Sequence, residues 1–143
     1  MDQREIADEV DSIDYCRLIE VPVHSERDGM LFAFESPAQV SFPIARVFMI
    51  REVPRGEARG FHANRELHEL LVPARGSLLV TLRGRRRIQH FKLDTPGQSL
   101  YVAPMTWIEM TEFSHDAVLV VLASLPHSAD DHITDLAEYL GSA

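Results

Sequence analysis

From Cys16 onward the chain is a succession of short runs rich in Val, Ile, Leu and Phe, broken every eight to twelve residues by glycine, proline or charge. No other feature narrows the fold as much. A helix needs apolar side chains recurring every three to four residues over ten or more positions, and these runs stop too soon. Short strands at that spacing predict an antiparallel sandwich or barrel. Strands are expected near 17–24, 30–35, 45–53, 68–72, 77–82, 88–93, 99–102, 107–110 and 117–123. Asp28-Gly29 and Arg83-Gly84 suit tight hairpins, and Pro54-Arg55-Gly56, Arg75-Gly76 and Thr95-Pro96-Gly97 suit other turns. The continuous apolar run Val118 to Leu122 predicts a strand buried on both faces. The tail changes period: Ile133, Leu136, Ala137 and Leu140 recur at helical spacing, with Asp130-Asp131 as a start signal and Gly141 as a stop.

The 143 residues fit one domain. An acidic arm, flexible or a short helix, is expected over 1–14, and a single all-β domain over 15–143. The net charge of -8 argues against general affinity for nucleic acid or anionic membranes, which attract the opposite sign. The basic run Arg83, Arg85, Arg86, Arg87 is read as a solvated turn between two strands. The single cysteine, Cys16, permits no internal disulfide and suits a reducing compartment. Met1 to Val10 lacks the pattern of a signal peptide, and no run approaches 18 apolar residues. The expectation is a cytoplasmic protein that neither spans nor coats a membrane.

The segment Gly56 to Gly76 holds the chemistry. In an extended strand alternate side chains share a face, so His62 and Asn64 point the same way. A bulge or bend before His68 would let Glu69 join them. Polar groups converging inside a small barrel form a concave site for a ligand.

Gly56, His62, Asn64, Glu69 and Gly76 stand at the intervals of the first cupin motif, with Asn64 where that motif has its second histidine. The second cupin motif is matched only loosely, by Gly97 and Pro104, with Glu109 where a histidine would complete a metal site. The donors would be His62, Glu69, Glu109 and a weak amide, a poor set for tight divalent binding. A larger resemblance rests on Arg59-Gly60-Phe61-His62-Ala63, Gly76-Ser77, Leu100-Tyr101-Val102, Trp107 with Glu109-Met110, Phe113-Ser114 and Val121-Leu122-Ala123-Ser124. These phrases resemble the sugar 3,4-ketoisomerases, cupins that act on dTDP-4-keto-6-deoxyglucose. The resemblance implies a jelly-roll barrel, a homodimer, a site without metal or cofactor, and an intramolecular keto shift in deoxysugar biosynthesis.

Moving a ketone from C4 to C3 removes a proton from C3, passes through an enediol and returns a proton to C4. One base over one sugar face can do both, and histidine suits the task because it titrates near neutrality. His62 is the candidate base, with Asn64 and His68 beside it as catalytic candidates. Arg46 and Arg59 are candidates to hold the enediolate or the diphosphate. Glu69, Tyr101, Trp107 and Glu109 complete the expected substrate-binding set. His24, His90, His115, His127 and His132 lie outside the motif and are expected to be solvated.

The chain departs from the family at three places. His-Ala-His becomes His62-Ala63-Asn64, Trp-His-Glu-Met becomes Trp107-Ile108-Glu109-Met110, and a stretch with tyrosines and acids becomes Leu125 to His132. Asn64 takes no proton at neutral pH; His68 compensates if the strand bends to turn it inward, and the substitution equally fits a different regiochemistry, a different sugar or a non-catalytic relative. Two other readings stand beside the isomerase: a cupin that binds a nucleotide sugar without turnover, and a metal-dependent cupin enzyme.

Overall fold

Twelve strands can be traced among residues 10–141, which are the residues that the computed structural model describes. They are β1 (Arg17–Glu20), β2 (Val23–Glu26), β3 (Gly29–Phe32), β4 (Arg46–Arg51), β5 (Arg59–Asn64), β6 (Glu69–Arg75), β7 (Leu78–Arg83), β8 (Ile88–Leu93), β9 (Gln98–Val102), β10 (Trp107–Thr111), β11 (Val118–Ala123) and β12 (His132–Ile133). One α-helix follows, α1 (Leu136–Gly141). Two five-stranded sheets run β1-β9-β6-β11-β4 and β12-β5-β10-β7-β8, and β2 and β3 pair as a separate hairpin. Every pairing is antiparallel.

The two large sheets pack face to face. Leu71, Leu100, Leu119 and Val121 of the first meet Leu78, Val80, Leu82 and Met110 of the second in one buried cluster. Each such side chain contributes about 1.5–3 kcal/mol by leaving water. A smaller cluster lies on the outer side of the second sheet, where Tyr139 of α1 packs on Ala63, Trp107 and Ile133. The Tyr139 hydroxyl sits 2.8 Å from the Met105 carbonyl and 2.9 Å from that of Arg83, which ties the helix to the loops beside β10 and β7. This is the all-β jelly-roll architecture of a small cupin, with the short C-terminal helix.

Several local expectations are corrected. The strand expected over 17–24 is two, because Pro22 offers no N–H to a ladder and the chain turns there into the β2–β3 hairpin. The extended stretch expected around His62 and Asn64 is a full strand, β5, and the two-residue β12 was not anticipated. Val118 to Leu122 is not buried on both faces throughout: Leu119 and Val121 are in the core, while Val118 and Val120 are half-buried. Ile133 belongs to β12, paired with Ala63, and not to the helix. Asp130 and Asp131 lie in a 3-10 turn, Ala129–Asp131, and the helix start is capped by Asp135, whose carboxylate accepts the Glu138 N–H at 3.1 Å.

Of the arm expected over 1–14, residues 1–9 lie outside the described residues. Ile13 is buried in the core, in a 3-10 turn over Ser12–Tyr15. The Asp11 carboxylate accepts the backbone N–H groups of Arg85 and Arg86, each at 2.9 Å, and of Arg87 at 3.3 Å. Burial acts to raise the Asp11 pKa, but these donors outweigh it and hold the carboxyl below its usual range. The Arg-rich turn is thus more than a solvated loop. Arg87 also pairs with Asp14, and Arg83 with Glu109 at 3.5 Å.

Candidate active site

Between the sheets lies a cavity of about 410 Å³. Simple alternation supplies most of its wall. Arg46, Phe48 and Ile50 of β4 point in, as do Glu69 and Leu71 of β6 and Ile108 and Met110 of β10. Strand β5 does not follow simple alternation. Ile108 pairs with His62, Glu109 with Gly60 and Met110 with Arg59, so Phe61 is an extra residue in a β-bulge. Gly60 has φ +95° and Phe61 φ +60°. The bulge shifts the period by one and sets both Arg59 and His62 on the cavity face. Gly60 is required on two counts: its φ is unfavourable for other residues, and a Cβ there would come within 2.8 Å of the Ile108 carbonyl oxygen.

Beyond β5 the chain bends at Arg65–Glu66 and turns into β6, and this bend, one of the two alternatives expected before His68, lets Glu69 join the cavity. The turn is held by Asp131. Its carboxylate accepts the N–H of Glu66 at 2.9 Å and of Leu67 at 3.3 Å, and its carbonyl accepts that of Arg65 at 2.8 Å. The next residue, His132, pairs with Asn64 in the β12–β5 ladder. An adjoining depression of about 430 Å³ shares Arg46, Leu67, His127 and His132 with the cavity and extends over Arg65 and Asp130.

Inside the cavity Asn64 donates its amide N–H to Glu69 Oε1 at 3.2 Å. Burial pushes the Glu69 carboxyl up to about 7; Arg46 opposes the rise and Asp131 adds to it. The Arg46 guanidinium lies 4.6 Å from the Phe48 ring centre, and its Nε is buried without a hydrogen-bond partner. The His62 imidazole is held below its usual range, first by burial, with His132 adding and a backbone hydrogen bond at Gly60 opposing. The His132 ring stacks on that of His62, centres 4.7 Å apart and planes 24° apart, and His127 meets His132 edge-on at 5.7 Å. The chamber therefore offers an imidazole held neutral near pH 7, a carboxyl that titrates there, and two guanidinium groups over an apolar floor. Such a set can move protons on a polar ligand and hold negative charge that develops on it.

Five of the expected residues meet at this cavity: His62, Asn64, Arg46, Arg59 and Glu69. Four do not. Glu69 and Leu71 point in, so His68 and Leu70 point to the opposite face of the sheet. There His68 Nδ1 lies 2.6 Å from the Tyr101 hydroxyl and its ring stacks against Phe42. Tyr101 shares that outer side and lies under the Arg17 guanidinium at 5.6 Å. On β10, Ile108 and Met110 point in, which turns Trp107 and Glu109 outward. Trp107 packs on Tyr139 and donates its Nε1–H to Glu109 at 3.0 Å. His62, Glu69 and Glu109 are therefore not brought together as a donor set. Among the described residues no group of three or more His, Cys, Asp or Glu side chains is placed to hold a metal ion.

His132, expected to be solvated, is half-buried in the cavity wall, and His127, which is exposed as expected, stands at the cavity's edge. Their one signal in the sequence is that both fall in Leu125 to His132, where the chain departs from the family pattern. Nothing local marks a two-residue strand. Among the described residues no helix is long and apolar enough to cross a membrane.

Residues 14–143 match the family model described as FdtA: WxcM-like, C-terminal. The chain is 42% identical over 105 residues to the TDP-4-oxo-6-deoxy-alpha-D-glucose-3,4-oxoisomerase of Aneurinibacillus thermoaerophilus, covering 73% of this chain and 76% of that protein. Among solved structures it is similar to the WlaRB TDP-quinovose 3,4-ketoisomerase of Campylobacter jejuni, with a TM-score of 0.87 and 31% identity over 91% of this chain and all of that one (100%). It is also similar to QdtA of Thermoanaerobacterium thermosaccharolyticum, a sugar 3,4-ketoisomerase in complex with TDP, with a TM-score of 0.85 and 30% identity over 87% and 91% of the two chains.

Proposed function

The chain belongs to the FdtA, WxcM-like C-terminal family, and from that premise we propose that it moves the keto group between C4 and C3 of a TDP-4-keto-6-deoxy sugar through an enediol. One observation carries the reading: the bulge at Phe61 sets His62 and Arg59 on one cavity face, with the imidazole half-buried there. A neutral imidazole at that depth is the base that the C3 proton requires. Histidine as base contributes typically about 10²–10⁴-fold, and the same imidazole, once its proton has exchanged with solvent, delivers a proton to C4. Arg59 and Arg46 stabilise the charge that moves onto the sugar oxygens, or hold the diphosphate, whose oxygens fit the guanidinium fork. The apolar floor of Leu71, Ile108, Met110 and Val121 faces the 6-deoxy sugar and keeps water from the enediol.

The proposed assembly is a homodimer. Val23, Met30 and Leu31 on the β2–β3 hairpin and Val47 and Met49 on edge strand β4 are all exposed apolar side chains that a second copy would cover. Light scattering tests this directly. The proposed compartment is the cytoplasm, in keeping with the single, buried, unpaired Cys16.

The decisive experiment is incubation with TDP-4-keto-6-deoxyglucose in deuterated water, followed by NMR. Loss of the C3 proton signal together with a ketone at C3 is the expected result. A second reading, a nucleotide-sugar-binding protein without turnover, is favoured by Asn64 in place of the motif histidine; TDP binding without solvent exchange would establish it.

A further inference from the structure

The isomerisation moves protons on oxygen as well as on carbon. His62 serves the carbon atoms. The ketone oxygen at C4 must gain a proton and the hydroxyl at C3 must lose one. The amide of Asn64 exchanges no proton at neutral pH, and His68 faces away from the cavity. We infer that His132 is the second proton-transfer residue of this site, an imidazole delivered by β12 beside the position where Asn64 stands.

Three observations converge on it. His132 and Asn64 are paired residues of the β12–β5 ladder. Directly opposed residues point to the same face, roughly 4.5–5.5 Å apart at Cβ, so His132 enters the cavity alongside Asn64. The His132 ring then stacks on His62 at 4.7 Å, and both rings line the cavity. Finally, the placement is rigid: Asp131 is bound through its carboxylate and its carbonyl to the turn between β5 and β6, and Ile133 is buried behind the sheet. Two stacked imidazoles resist carrying two charges at once, so a proton on one ring leaves the other free to act as base. That is the composition an isomerase needs, one base and one acid.

The step balances on these two rings. Neutral His62 takes the proton from C3, and the C3–H electron pair forms the C3=C4 double bond. The C4=O π pair takes a proton from His132, which leaves a neutral enediol. His132 then takes the proton from the C3 hydroxyl, whose electrons form the new C3=O bond. The enediol π pair takes a proton from His62 at C4. Both imidazoles return to their starting states, and no oxidant or cofactor enters.

The inference rests on the isomerase reading, and the test separates the two. The parent protein, His132→Gln, Asn64→His/His132→Gln and His62→Gln are each incubated with TDP-4-keto-6-deoxyglucose in deuterated water. For His132→Gln, ketone transfer is expected to fall by about 100-fold or more, while deuterium at C3 of recovered substrate falls much less, because His62 still works. The double variant is expected to recover ketone transfer, since it restores an imidazole on the adjacent strand. His62→Gln is expected to lose exchange and transfer alike. Parental ketone transfer by His132→Gln overturns the inference, as does an equal loss of exchange and transfer that histidine at position 64 does not restore. A parent protein that neither exchanges nor isomerises overturns the isomerase reading, and the inference falls with it.

Discussion

Asn64 and Glu69 are joined inside the cavity by a single hydrogen bond of 3.2 Å, amide N–H to carboxyl oxygen. It couples a side chain that does not titrate to one that burial has moved to about 7. In the unfolded chain a glutamate ionises near 4.3. Between those values the folded state binds the extra proton, so this group's contribution to stability is complete below about pH 4 and is lost as pH rises through 7. Glu69→Gln keeps the acceptor for Asn64 and removes the titration. The variant is expected to gain on the parent from pH 5 to pH 8, by up to roughly 3 kcal/mol at about 1.4 kcal/mol per unit. Urea unfolding at the two pH values measures it; a difference independent of pH would contradict the placement of Glu69.

His62→Gln tests the base. The substitution keeps a polar side chain of similar reach but one that cannot take a proton. The rate of deuterium incorporation at C3 is expected to fall by about 10²–10⁴-fold, with TDP affinity little changed. Calorimetric titration of TDP alongside the exchange assay separates chemistry from binding.

Gly60→Ala tests the bulge. A Cβ at 2.8 Å from a backbone oxygen cannot be relieved by turning a side chain, and φ +95° is strained for alanine. The expected loss is about 1–3 kcal/mol of stability, with a larger fractional loss of turnover, because Arg59 and His62 lose their common face. Thermal unfolding and activity at a temperature well below the transition distinguish the two effects. Activity equal to the parent's would show that the bulge does not position the site.

Asp11→Ala tests the contact between the N-terminal turn and the Arg-rich turn. Three backbone N–H groups lose their acceptor, and the expected loss is about 1–3 kcal/mol near neutral pH. Because the folded carboxyl lies below its usual range, this stability is present above about pH 4 and is lost as pH falls through the folded value. The gap between parent and variant is expected to close in acid. Denaturant midpoints at pH 7 and pH 3 follow it.

The sequence by itself determined the class of architecture, because strands and turns are specified locally. Runs of Val, Ile and Leu ended by Asp28-Gly29, Arg83-Gly84 or Thr95-Pro96-Gly97 carry their own period and their own breaks. It also determined the centre of the site. His62, Asn64 and Glu69 stand at fixed motif intervals, and alternation along a strand is enough to bring the first two to one face. What it did not determine is the face taken by residues at irregular points. The strand period sends His68, Tyr101, Trp107 and Glu109 outward once Glu69, Ile108 and Met110 point in, and only the pairing of β10 with β5 and β7, and of β6 with β9 and β11, decides which parity holds. His132 is the clearest case. Its place beside Asn64 comes from a two-residue ladder between distant parts of the chain, held by Asp131 and by the burial of Ile133 and Tyr139. Those contacts exist only after the sheets have packed, because no local interaction is strong enough to hold so short a strand.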